Sequence, residues 1–299
     1  MILKSFGLYL LQKRYNAVWV VLLCAFLPFI QIPTFSLAAV IVGLVTLHKG
    51  AKEGFFLLSW MLLPAIVAAF FGDFGTFLIE GVGKGIIVWL MACVLATTAT
   101  WTIVAQLAVA CGVILVAAVH LVMPDIGAWW LLQLTPYATQ MQTSLNLNLS
   151  PDQVKLLLDR ASHFATGAVI AGVLALDIVV LLMARGWQAT LFNPGGLAKE
   201  WRQLRLSYKY SALVLAILAG VWLGATWLMD VLPIVLMPFI FAGLSLIHAK
   251  LPEQKNIRIP VLIAIYMSVL LFSPYMCIML ILLAFVDSWF DFRAVRGKK

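Results

Sequence analysis

Asp177 stands inside a long apolar run, His163 to Ala184, between Leu176 and Ile178, and it is the residue of this sequence best placed to do chemistry. An acid at membrane depth costs a few kcal/mol even on insertion scales, so it reads first as a proton site, a cation site or a substrate contact. Thr166 and Ile170 share its helical face, whereas Ala168, Gly172 and Ala175 form a separate small-residue face suited to helix packing. The alternative is a protonated or hydrogen-bonded acid that joins two helices. The sequence names no obvious intramembrane cation as its partner; His120, near the outer end of its own apolar run, is the candidate. Asp177, Thr166 and His120 therefore form the candidate substrate or ion set.

Other constellations are weaker. Glu80 and Lys84 are four apart in the order that favours a helical ion pair, so mutual neutralisation is expected. Gly81, Gly83 and Gly85 surround Lys84, but GxxxxGK[ST] is absent and these glycines make no phosphate loop. His48, His163 and His248 lie near the ends of apolar runs, as snorkelling histidines do. Cys24, Cys93, Cys111 and Cys277 all sit within apolar runs without a CxxC pair and read as small buried hydrophobes. No HExxH, Ser-His-Asp order or paired catalytic carboxylate occurs, so an enzyme, a metal site and a bound cofactor are not expected.

The elements that position Asp177 follow from composition. Of 299 residues, 64% are apolar and 11% charged, and the mean hydropathy is +1.06. Soluble domains are about 45–50% apolar and about 25% charged, so this composition excludes an ordinary soluble protein. The net charge of +8 is dispersed between apolar runs, which disfavours a nucleic-acid partner and favours a lipid bilayer.

A helix needs about 20 apolar residues to cross about 30 Å of hydrocarbon. Six runs meet that length or come near it: Phe55–Phe71, Phe77–Thr97, Trp101–Met123, His163–Ala184, Tyr210–Met229 and Val231–Ile247. Two longer stretches are broken in the middle, Ala17–Leu47 at Pro28 and Gln31-Ile32-Pro33, and Ile259–Phe290 at Ser273-Pro274. Proline removes a backbone donor and ends or kinks a helix, so each stretch is one tilted helix or two short ones. Lys4, Lys13 and Arg14 precede the first run in the charge order of a signal peptide. Gln31-Ile32-Pro33 offers no small-residue cleavage site, so the run reads as an uncleaved first span.

Cytoplasmic loops collect Lys and Arg. If both broken stretches are hairpins, seventeen of the twenty cations fall on the inner side and only Lys84, Lys155 and Arg160 outside. The expectation is an all-α polytopic transmembrane helix bundle of about ten crossings with both termini cytoplasmic. The alternative is eight crossings with a re-entrant hairpin. Residues 1–299 then form a single transmembrane domain, with an outer interfacial segment at 124–162 and a basic inner loop and helix at 185–209.

In the outer segment, Ser150-Pro151-Asp152-Gln153 is a helix start, with a capping serine, proline at the first helical position and glutamine three residues after the cap. Trp129 and Trp130 suit a headgroup belt. The segment is an interfacial helix or a lid with Tyr137, Gln140, Gln142 and Asn146 as polar contacts. On the inner side, Asn193-Pro194-Gly195-Gly196 makes a turn. Lys199, Arg202 and Arg205 then recur at three-residue spacing on one side of a short helix that carries Trp201 on another. Such a helix binds anionic lipid or docks a cytoplasmic partner. At the C-terminus, Asp287 and Asp291 share a face, Trp289, Phe290 and Phe292 anchor the interface, and Arg293 pairs with an acid or with phospholipid.

The Asn193-Pro194-Gly195-Gly196 turn with its Leu-Arg-Leu helix and the terminal Asp287-Ser288-Trp289-Phe290-Asp291-Phe292-Arg293 together resemble the YybS-like family of bacterial inner-membrane proteins. His48-Lys49-Gly50-Ala51-Lys52-Glu53-Gly54 ahead of Trp60 and Pro64 is similar to the opening of its proteobacterial members. The resemblance implies a multi-spanning protein of the bacterial inner (cytoplasmic) membrane, of uncharacterised function. It also implies a distant likeness to the substrate-binding membrane components of energy-coupling-factor vitamin transporters. Two functional readings follow: a solute-binding or transporter-like component that takes a small molecule or ion, or a non-transporting scaffold or envelope assembly factor that docks a cytoplasmic protein.

Overall fold

The computed structural model describes residues 2–145, 150–252 and 254–293. Asn146, a lid contact expected from sequence, and Arg296, Lys298 and Lys299, three of the seventeen inner cations, lie outside the described residues. Among the described residues all regular structure is helical. The first part of the chain holds α1 (Ile2–Gln12), α2 (Arg14–Phe26), α3 (Phe35–Lys49), α4 (Ala51–Trp60), α5 (Leu62–Ala69), the single turn α6 (Phe74–Thr76) and α7 (Lys84–Thr98). A π-helical stretch, Phe77–Gly83, joins α6 to α7. There follow α8 (Trp101–Val122), α9 (Ile126–Leu145), α10 (Pro151–Phe192) and α11 (Gly196–Trp201). The last part holds α12 (Tyr208–Trp222), α13 (Leu228–Lys250), α14 (Lys255–Leu271) and α15 (Ser273–Phe290).

Among the described residues, six helical segments are long and apolar enough to cross a membrane: Ala51–Ala69, Phe74–Thr98, Trp101–Val122, Pro151–Phe192, Leu228–Lys250 and Ser273–Phe290. Five of them contain or overlap the runs expected from hydropathy. The sixth expected run, Tyr210–Met229, is cut short at Trp222 because Gly224, at φ +96°, takes the left-handed conformation that ends helices. Both broken stretches divide into two helices. The first breaks after a 3₁₀ turn, Leu27–Ile30, where Gln31 turns left-handed at φ 64°. The second breaks at Phe272, ahead of Pro274. The shorter apolar helices Phe35–Lys49, Tyr208–Trp222 and Asn256–Leu271 complete the set. Between α1 and α2 the chain bends by 115°.

The helices gather into two compact units, Met1–Ala108 with Ala175–Leu204, and Val109–Leu174 with Arg205–Lys299. The first unit is built on α3, which is apolar on every side and buried from Ala38 to Thr46, as expected of a helix enclosed all round. Glycines bring its neighbours close. A Cβ on Gly54 of α4 would fall 1.9 Å from the Thr46 hydroxyl, and one on Gly43 would fall 3.0 Å from the Ala184 Cβ. Phe77 seals one end, its ring 4.3 Å from Phe29 and 5.2 Å from Phe35. The second unit is built on α13, buried along most of its length and pressed against α15, where a Cβ on Gly243 would fall 2.5 Å from the Leu280 carbonyl oxygen.

Candidate functional site

Asp177 is fully buried on α10, next to Ile178 and one turn from Leu181, both also buried. Its partner is Lys84, the first residue of α7, whose Nζ donates to Asp177 Oδ1 at 3.1 Å. Both side chains are withdrawn from solvent, at 8% and 0% exposure, so the pair sits where the local dielectric is low and each charge needs the other. The second carboxylate oxygen, Asp177 Oδ2, is buried and accepts no hydrogen bond. A carboxylate with one oxygen neutralised and one open can take up a proton, a cation or a hydrogen-bond donor.

Lys84 stands where an irregular backbone meets a close helix contact. The π-helical stretch runs straight into α7, and Gly85 lets that helix close on α4, where a Cβ would fall 2.7 Å from Leu58. π-helical turns are rare and concentrate at functional sites. The expected Glu80–Lys84 pair does not form: Glu80 stays exposed while Lys84 turns inward to the buried acid. A buried carboxylate without a cation is far more costly than an exposed glutamate without one, and that difference decides which acid takes the lysine.

Thr166 and His120, grouped with Asp177 from sequence, lie in the second unit, where His120 meets a buried acid not singled out from the sequence. Asp230, in the first turn of α13, is 3% exposed. Its Oδ1 accepts the Gly167 N–H at 2.9 Å, and its Oδ2 lies 2.9 Å from His120 Nε2. Here α13 crosses α10 so closely that a Cβ on Gly167 would fall 1.7 Å from the Asp230 carbonyl oxygen. Next to Gly167, the Thr166 hydroxyl accepts from the Trp130 indole at 2.8 Å, so Trp130 faces α10 and Trp129, edge-on to it, is the more exposed.

The outer segment starts its second helix as expected. Ser150 Oγ accepts the Gln153 N–H at 3.3 Å while Gln153 Oε1 accepts the Ser150 N–H at 2.9 Å, a reciprocal capping box. Between α9 and this first part of α10 lies an open groove of about 930 Å³, lined by Thr135, Gln142, Asp152, Lys155 and Asp159 among others. Of the lid contacts named from sequence, Gln142 lines it; Tyr137 and Gln140 are exposed.

The basic inner stripe is not continuous. Helix α11 ends at Trp201, so Lys199, Arg202 and Arg205 do not share one helical face. Lys199 is exposed, but Trp201 is 7% exposed with its ring edge-on to Trp101 at 5.6 Å. Arg185 takes Glu200 as its ion-pair partner. Arg205 turns to the end of α15, where it donates to the Asp287 carbonyl at 2.9 and 3.1 Å and to Asp291 Oδ2 at 3.0 Å. Arg293 folds back to Asp287 Oδ2 and Ser245 Oγ, each at 3.3 Å, and the Ser211 and Ser288 hydroxyls are 2.6 Å apart. Burial pulls the Arg293 guanidinium below its ordinary value and Asp287 opposes the shift, leaving it a permanent cation. Asp287, Asp291, Arg293 and Arg205, expected to face a partner or lipid, are thus engaged with one another. The reason is the carbonyls left open at the end of α15, which an arginine fork satisfies.

Among the described residues no three His, Cys, Asp or Glu side chains stand close enough to hold a metal ion. No known protein family, curated protein or solved structure matches the chain.

Proposed function

We propose that this chain is a transporter-like, solute- or ion-binding component of the bacterial inner membrane, and that Asp177 is its ion site. The observation that carries the reading is the Lys84–Asp177 pair, a fully buried acid on an apolar helix with one oxygen neutralised and one open. An open buried acceptor is destabilising, and a bound ion, proton or solute donor at Oδ2 would offset that cost. The chain then crosses the membrane ten times, through α2, α3, α4–α5, α6–α7, α8, α10, α12, α13, α14 and α15, with both termini cytoplasmic. Seventeen of twenty cations on the inner side support that orientation. The resemblance to the YybS-like family points to the same membrane. The scaffold reading is the weaker one, because Trp201 and Arg205, half of the surface it requires between residues 199 and 205, are engaged within the chain.

Reconstitution into proteoliposomes on a solid-supported electrode tests the reading. Wild-type protein gives a charge-displacement current on a proton or alkali-cation concentration jump, and Asp177→Asn, with unchanged reconstitution yield, gives none. Equal currents from both proteins remove Asp177 from the mechanism.

A further inference from the structure

Away from the buried ion pair, the first unit contains a crevice of about 510 Å³ between α1, α2, α3 and the last part of α10, lined by Phe6, Val20, Leu37, Ile41, Met183 and Trp187 among others. Its volume lies within the range of ligand pockets, about 300–1,000 Å³. Its polar groups are already satisfied. The Trp187 indole donates to the Leu3 carbonyl at 3.0 Å, and the Thr190 hydroxyl donates to the Gly186 carbonyl at 2.8 Å. A water molecule in an apolar site needs two to four polar partners and finds none open here, so the space suits an apolar occupant.

The crevice is built rather than incidental. The 115° bend before α2 lays α1 across the axis of that helix. Gly7 seats α1 directly on α10, where a Cβ would fall 2.6 Å from Trp187 Nε1 and 2.8 Å from Leu191 Cδ1. Phe6 stacks on Trp187 at 5.9 Å, an aromatic pair of the kind that marks the headgroup level. Charge identifies the polar end of the occupant. Lys4 is exposed beside Leu3, which lines the crevice, and Lys13 is exposed at the bend. Helix α1 carries no acid, and the nearby Arg14 is already held by Glu53.

We propose that this crevice binds one acyl chain of an anionic phospholipid, with the headgroup phosphate at Lys4, and that α1 is the strap that retains it. This lipid is a stoichiometric ligand of the first unit, distinct from the lipid that exchanges freely around the exposed helices, and the proposal stands apart from the ion site at Asp177.

The test is the phospholipid content of protein purified in mild detergent and washed with increasing concentrations of a delipidating detergent, read by phosphate assay and lipid mass spectrometry. Wild-type protein retains one phospholipid per chain, of the anionic class. Val20→Trp combined with Leu37→Trp fills the crevice from its rim and lowers retention about tenfold or more, since the loss of two buried methylenes already amounts to that. Leu215→Trp, on an exposed position of α12, leaves retention unchanged, and Lys4→Glu removes the preference for anionic lipid. A wild-type chain that retains no lipid, or a filled variant that retains as much, overturns the proposal. If the filled variant fails to fold, crosslinking of the wild type with a diazirine phospholipid decides. Adducts on Cys24 or Trp187 support the site, and adducts only on exposed positions such as Leu215 refute it.

Discussion

Replacing Lys84 with methionine keeps most of the length of the side chain and removes its charge, leaving Asp177 buried with neither oxygen paired. Breaking a buried ion pair from one side costs about 3–5 kcal/mol, because the remaining charge stays desolvated without compensation. With Lys84 at 8% and Asp177 at 0% side-chain exposure, solvent relieves little of this. The unfolding equilibrium should shift by about a hundredfold or more. Adding Asp177→Leu removes the orphaned charge, so the double variant should return to within about 1 kcal/mol of wild type or exceed it. Glu80→Gln is the internal control: an exposed helical pair contributes only about 0.2–0.5 kcal/mol, and here no such pair forms. Reversible denaturation by dodecyl sulfate in mixed micelles, followed by circular dichroism, measures all four proteins. A loss below about 1 kcal/mol in Lys84→Met, or a loss in Glu80→Gln as large as in Lys84→Met, would refute the argument.

Two glycines of α10 separate close packing from helix propensity. Gly167→Ala drives a methyl into the Asp230 backbone and should destabilise by about 3 kcal/mol or more. Gly172→Ala meets nothing within 4 Å and should stabilise by about 0.5–1 kcal/mol in the same denaturation assay. Arg205→Ala should cost about 1.5–3 kcal/mol and speed amide hydrogen exchange in the last turn of α15, where its guanidinium holds the Asp287 carbonyl and the Asp291 carboxylate. Arg205→Lys should not restore protection, since a single ammonium cannot span both acceptors as the fork does; full protection in that variant would contradict the assignment.

What was legible in the sequence is local. The helical class, the breaks at Gln31 and before Pro274, and the start of α10 at Pro151 follow from hydropathy, proline and capping chemistry, all of which act over a few residues. The candidate sites were legible only in part, because their partners are distant in the chain. Lys84 and Asp177 are 93 residues apart, and short-range reasoning gave the lysine to its neighbour Glu80 instead. Asp230 escaped notice because it falls at the seam between two apolar runs and looks like a loop residue. Its burial comes from α10 approaching at Gly167, a glycine whose role appears only once the two helices meet. The basic stripe was misread because helix α11 stops at Trp201, and the regular spacing of Lys199, Arg202 and Arg205 has no meaning beyond that point.

The sharpest discriminator for Asp177 as a ligand-bearing acid is native mass spectrometry of the protein released gently from its own membrane, wild type beside Asp177→Asn. A stoichiometric small solute or alkali cation is expected on the wild-type chain and is lost in the variant while the bound phospholipid stays. A solute or cation retained equally by Asp177→Asn would contradict Asp177 as the site.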